Sequence, residues 1–134
     1  MSNYSFDTNH SDENEKSENP YVPDSKETPE FVAQFIEVLD RHLCDTCFKK
    51  EDFAAEMGVS ISLLYKRIKL LTGLSVADFI RNYKMQLATT LLNDKSISIG
   101  EISFKCGYSS IGYFSTVFRK HFGYTPTEYR NRLP

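Results

Sequence analysis

Apolar residues recur at helical spacing along most of this chain, and nowhere do they alternate over a useful length as strands require. Phe31, Phe35, Val38, Leu39 and Leu43 share one face of a helix expected over about 29–43, with Thr28-Pro29 as its N-cap and first-turn proline. Further helices are expected at about 50–57, 61–72, 76–93, 99–106, 111–122 and 126–132. Their ends carry signals. Gly58, Gly73 and Gly123 follow helices, where glycine accepts the left-handed conformation. Ser60, either Ser109 or Ser110, and Thr125 stand where N-caps belong. Ser98 with Glu101 reads as a capping box, Ser75 with Asp78 as a box-like start, and Thr125 with Glu128 as a third. The expected architecture is all-α with seven helices. The helix at 76–93 carries Phe79, Ile80, Tyr83, Met85, Leu87, Ala88, Leu91 and Leu92. This wide apolar arc suits a connecting rod with packed units on either side.

The pattern is also written twice. Phe53 answers to Ile102, Met57 to Cys106 and Gly58 to Gly107, an offset of 49 (102 minus 53). One residue is gained after the glycine. Leu64 then answers to Phe114, Ile68 to Phe118, Gly73 to Gly123, Ser75 to Thr125, Asp78 to Glu128 and Phe79 to Tyr129, an offset of 50 (114 minus 64). A fixed period of paired apolar, glycine and cap positions marks one supersecondary unit used twice. Short helix, glycine turn, capped second helix is the helix-turn-helix pattern, here expected at about 50–72 and 99–122. Small Ala54 and Ser103 sit where the two helices of each unit cross. The second helices are basic, with Lys66, Arg67 and Lys69 in one and Arg119 and Lys120 in the other.

Charge changes the picture, because the net −2 conceals a segregation. Residues 1–30 hold two lysines against eight acids, whereas residues 60–134 hold 11 basic residues against four acids. A basic folded part behind an acidic tail points to a polyanionic partner. Residues 1–28 are too polar to bury a core and are expected to form a disordered tail or linker, with the folded domain over 29–134. The start of the chain lacks the pattern of an export signal, and no apolar run approaches a membrane span. With three cysteines, this points to a reducing cytoplasm and no membrane contact.

Candidate chemistry is sparse. Cys44 and Cys47 form a CxxC, but Cys106, His42 and His121 supply no second ligand pair, so no metal is expected and the thiols read as ordinary loop and core residues. His10 falls in the tail. No phosphate loop, HExxH or GxSxG is present, and neither an enzyme nor a bound cofactor is expected.

From about Glu51 to Arg130, about 80 of the 134 residues, the chain resembles the DNA-binding domain of the AraC family of bacterial transcription regulators. The diagnostic stretch is ISIGEISFKCGYSSIGYFSTVFRKHFGYTPTEYR. It holds the glycine-aromatic turn, Tyr113-Phe114, Phe-Arg-Lys at 118–120, and the ending Gly-x-Thr-Pro-x-x-Tyr-Arg. MGVSISLLYKRIKLLTGLSVADFI resembles the output domains of hybrid two-component sensors and response regulators, which follow a receiver domain through a polar linker. The resemblance implies seven helices, double-stranded DNA as partner, and two recognition helices joined by a long helix. It implies base-reading positions at Ser62, Tyr65 and Lys66, with Lys69 beside them. In the second helix the matching positions are Ile111, Gly112, Ser115 and Thr116, with Arg119 and Lys120 towards phosphates. Thr116 departs from the family, where a long polar side chain is frequent, so thymine-methyl contacts or DNA shape gain weight in that half. A connecting helix of about 18 residues is roughly 27 Å long, close to the about 34 Å between adjacent major-groove segments on one face of DNA. A monomer would then suffice. The competing reading is a helical interaction module docking on RNA polymerase or on an upstream receiver or sensor domain.

Overall fold

The structure, a computed structural model, describes residues 27–45 and 47–133. The acidic tail expected over 1–28 therefore lies outside the described residues except for its last two. Among the described residues there are seven helices and no strand: α1 Glu27–Arg41, α2 Lys50–Met57, α3 Ile61–Thr72, α4 Val76–Leu92, α5 Ile99–Lys105, α6 Ile111–Phe122 and α7 Pro126–Arg132. The expected elements are all present, with ends shifted by a residue or two. The largest departure is at α1, which starts at Glu27, so Thr28 and Pro29 lie inside its first turn and Thr28 does not cap it. Proline there loses nothing, since first-turn N–H groups have no intrahelical partner.

The chain divides into two compact units. The first holds α1, α2, α3 and the first turn of α4 through Ile80; the second holds the short segment after α1 beginning at Leu43 and everything from Arg81 onward. In the first unit, Phe35 stacks on Phe53 with ring centroids 4.5 Å apart and meets Phe79 edge-on at 5.3 Å. Phe31, Phe35, Val38 and Leu39 are buried, so α1 does pack its apolar face on the first helix-turn-helix. Its end is fastened by Glu56, which accepts from Arg41 at 2.7 Å and pairs with His42 Nε2 at 2.8 Å. The bond from Arg41 holds the Glu56 carboxyl below its usual range, against a smaller opposing effect of burial. In the second unit, Met85, Ala88 and Leu92 of α4 form one buried cluster with Ile102, Cys106, Tyr108, Phe114 and Phe118.

The repeat survives at the level of single hydrogen bonds. Val59 N donates to Ala54 O at 3.1 Å, and Tyr108 N to Ser103 O at 3.0 Å. Both close the reversal after the first helix of a unit, around Gly58 (φ +73°) and Gly107 (φ +91°). Ser60 Oγ accepts from Leu63 N and Ser110 Oγ from Tyr113 N, each at 3.1 Å, which decides the cap of α6 in favour of Ser110. Gly73 N donates to Lys69 O and Gly123 N to Arg119 O. Ala54 and Ser103 are both buried at the helix crossings. The third box is complete, with bonds in both directions between Thr125 and Glu128.

The second unit has two features that its counterpart lacks. A Cβ on Gly107 would sit 2.5 Å from Leu43 O and 3.3 Å from Lys84 Nζ, whereas one on Gly58 would meet nothing within 4 Å. Lys84 itself is buried, with its ammonium 4.9 Å from the centre of the Tyr108 ring. Burial lowers its pKa to about 8, partly offset by the nearby Cys106 and Cys44 thiols. Burial also raises the Cys106 pKa to about 12, against the pull of Lys84.

Two outcomes are expected. Gly58→Ala should cost about 1–2 kcal/mol, the penalty for an L-residue in the left-handed region. Gly107→Ala should cost clearly more, because the Leu43 carbonyl must also give way; equal shifts in urea midpoint would contradict the close approach. The second concerns pH. Between about 8 and 10.5 the unfolded chain binds the Lys84 proton more tightly than the folded one, so stability rises with pH there. From about 9 upward the unfolded chain loses the Cys106 proton first, and that group lowers stability. Lys84 should therefore contribute a rise of about 1 kcal/mol between pH 8 and 9, cancelled above that by Cys106. Lys84→Met should lose the rise and keep the decline, as urea midpoints across pH 7.5–10 will show; identical profiles would refute it.

Candidate nucleic-acid interface

Each second helix of a unit is anchored by one buried stripe, Leu64 and Ile68 in α3 and Phe114 and Phe118 in α6. A helix turns 100° per residue, so fixing that stripe also fixes what points away. In α3 the outward positions run Ser62, Lys66, Lys69, and in α6 they run Gly112, Thr116, Arg119, each at i, i+4, i+7. Ser62 and Lys69 are exposed and Lys66 is half-buried. Gly112, Thr116, Arg119 and Lys120 are exposed, and Ser115 is half-buried. Tyr65 is half-buried with its hydroxyl oxygen out of solvent, so in this conformation it presents ring rather than hydroxyl.

The two stripes differ chemically. α3 presents two lysines. Its third cation, Arg67, is turned onto the Phe31 ring of α1, 4.9 Å from the centroid, and serves the packing of that helix. α6 carries its cations only in its last turn, Arg119 and Lys120. Its first two turns are apolar or short. Ile111 is 53% exposed, and its Cδ1 lies 3.0 Å from where a Cβ on Gly100 would be, so it leans on the start of α5. Thr116 is exposed, and its Oγ1 donates to Gly112 O at 3.0 Å. Tyr113, 52% exposed, joins this surface; its ring packs on Tyr108 with centroids 5.8 Å apart. Tyr113 was not among the residues expected at the site. The signal was available, since Phe114 in the core turns its neighbour in sequence about 100° away on the helix.

The remaining sequence candidates are structural. Cys44 Sγ donates to Phe104 O at 3.2 Å, and Cys44 and Cys47 are exposed and not joined in a disulfide. Among the described residues no group of three or more His, Cys, Asp or Glu side chains lies together as metal ligands would, and no helix is long and apolar enough to cross a membrane. The terminal motif builds the frame. Gly123 ends α6 at φ +93°, Pro126 opens α7 from a buried position, and Tyr129 packs on Phe118 with centroids 5.9 Å apart. Arg130 Nε donates to Leu92 O at 3.2 Å and its Nη2 to Asp94 O at 3.0 Å, satisfying carbonyls at and just beyond the end of α4.

Residues 53–132 match a family model described as a helix-turn-helix domain. The chain is 38% identical over 86 residues to the HTH-type transcriptional activator RhaR of Mannheimia succiniciproducens, covering 64% of this chain and 31% of that protein. It is 31% identical over 103 residues to histidine kinase P4 of Formosa agariphila, covering 77% of this chain and 8% of the kinase. The chain thus spans less than a third of either relative. Among solved structures, an AraC-type transcriptional regulator from Chromobacterium violaceum aligns with a TM-score of 0.69 at 27% identity, over 78% of this chain and 93% of that one. The DNA-binding domain of the global transcriptional factor AdpA, solved with a target DNA, aligns with a TM-score of 0.66 at 26% identity, over 75% of this chain and 89% of that one. The match over most of the folded part, with both helix-turn-helix units in register, makes this chain a member of the AraC-type helix-turn-helix family of DNA-binding transcription regulators.

Proposed function

We propose that residues 29–134 form the output domain of a two-component signalling protein, and that α3 and α6 enter adjacent major-groove segments of one DNA duplex. The observation that carries this is the repeated outward stripe. Ser62, Lys66 and Lys69 in α3 recur as Gly112, Thr116 and Arg119 in α6, each on a capped helix seated by a buried pair. Ser62, Tyr65 and Lys66 would meet base edges in one half-site; Ile111, Gly112, Ser115 and Thr116 would do so in the other. Lys69, Arg119 and Lys120 would lie near phosphates. The match to a small part of a histidine kinase supports the signalling context, as does the acidic stretch before the domain. Such a domain works in the cytoplasm as a monomer, with an upstream receiver or sensor domain as its neighbour and RNA polymerase as a further partner.

In this reading α4, with 17 residues and a length of about 26 Å, is the spacer between the two reading helices. The test is one alanine inserted between Ile80 and Arg81, where the units divide, so that neither buried cluster is broken. It turns one unit by about 100° relative to the other and adds about 1.5 Å. Footprints should shrink from two adjacent major-groove segments to one, with circular dichroism unchanged. Protection of both segments at unaltered affinity would sink the spacer. Wild-type binding should fall steeply with salt on a log–log plot; a flat plot would instead favour a protein-docking module. Lys66→Ala should weaken specific binding by about 1–3 kcal/mol and relax base choice in one half-site only. A loss equal across all base variants would reassign Lys66 to a phosphate.

A further inference from the structure

The two reading helices do not offer DNA the same chemistry. α3 presents lysine ammonium groups and a free serine position, suited to hydrogen bonds with base acceptors. On α6 the long cations come only in the last turn, and the first two turns carry no charge, their hydroxyls being those of Tyr113, Ser115 and Thr116. Gly112 has no side chain. Thr116 is exposed, with its hydroxyl proton tied to Gly112 O at 3.0 Å. Ile111 is more than half exposed, and the missing Cβ of Gly100 leaves room for its Cδ1 to lean there. Apart from this contact with α5, Ile111 leaves more than half of its surface exposed at the first turn of a basic-ended helix. The buried positions of α6 are Phe114 and Phe118.

Resting on the DNA-reading function proposed above, we infer that the half-site under α6 is read through thymine 5-methyl groups, contacted by the Ile111 side chain and the Thr116 methyl. In the major groove only thymine offers a methyl at the base edge, so apolar side chains there select it over the other bases. Gly112, with nothing nearer than 3.7 Å to a Cβ at that position, lets the helix backbone come close enough for these short side chains to reach. The two half-sites would then differ in kind: hydrogen-bonded under α3, methyl-read under α6.

The test uses duplexes selected from a random-sequence pool by the full chain. The strongest duplex is then remade with deoxyuridine for thymine, which removes the methyl and leaves base pairing intact. Substitution in the α6 half-site should weaken binding about three- to tenfold, and substitution in the α3 half-site should do much less. Ile111→Ala should weaken binding to the thymine duplex and be nearly blind to deoxyuridine, so the two losses do not add. Lys66→Ala should keep full sensitivity to deoxyuridine. Because Ile111 is exposed, its variant should melt as the wild type does, and a melt on each variant confirms it. If footprint and salt dependence are present but deoxyuridine in the α6 half-site costs nothing, the methyl reading is overturned and DNA recognition stands. Additive losses for Ile111→Ala and deoxyuridine also overturn it. If no duplex is selected and no footprint forms, the DNA-reading function itself falls.

Discussion

Both units depend on a chain reversal made at a positive backbone angle. After α2 the chain turns within three residues and after α5 within five, through Gly58 and Gly107 at φ +73° and +91°. An L-residue there would sit in the left-handed region at a cost comparable to a large share of a small domain's stability. The reversal sets the direction in which the next helix leaves. Its first residues are then caught by Ser60 or Ser110, and the buried pair one turn later drops into place. Moving the turn by one residue would rotate α3 or α6 by about 100° and bring the outward stripe onto the core. The surface that meets a partner is in this sense a by-product of a backbone angle.

The two copies have diverged around that shared constraint. At Gly58 there is open space, so conformation alone demands glycine; at Gly107 the Leu43 carbonyl and the buried Lys84 crowd the position as well. Lys84 gives the second unit a buried amine beside a tyrosine ring and two thiols. The first unit fastens its helix pair at the surface instead, with Glu56 held between Arg41 and His42. Similar architecture thus accommodates a solvated ion pair in one unit and, in the other, a cation whose charge burial disfavours.

The frame was far more legible in the sequence than the reading surface. All seven helices, the four left-handed glycines and the pairing of Leu64 with Phe114 and Ile68 with Phe118 followed from period, caps and repeat, because each reflects a local steric or hydrogen-bonding demand. The start of α1 was misplaced because a first-turn proline is tolerated at more than one position, so Pro29 does not fix the boundary. The role of Arg67 was not legible, since nothing local says that its guanidinium lies on Phe31 rather than facing out with Lys66 and Lys69. The closing part of the motif that carried the family resemblance proved to be frame. Gly123, Pro126, Tyr129 and Arg130 end, open, pack and clasp helices, while the outward positions of α6 precede them in the same stretch.

The clasp of Arg130 on Leu92 and Asp94 has a consequence for the order in which the chain acquires structure as it is made. The unit around α1–α3 ends at Ile80. Once that residue clears the ribosome, the unit has all its partners and can fold as a body, as amino-terminal units generally do. The other must wait 50 residues more (130 minus 80), until the arginine that closes the end of α4 has emerged. During that interval Met85, Ala88 and Leu92 have been synthesised without the aromatic residues that will cover them. A nascent chain therefore passes through a stage with one half finished and an apolar helix face still open.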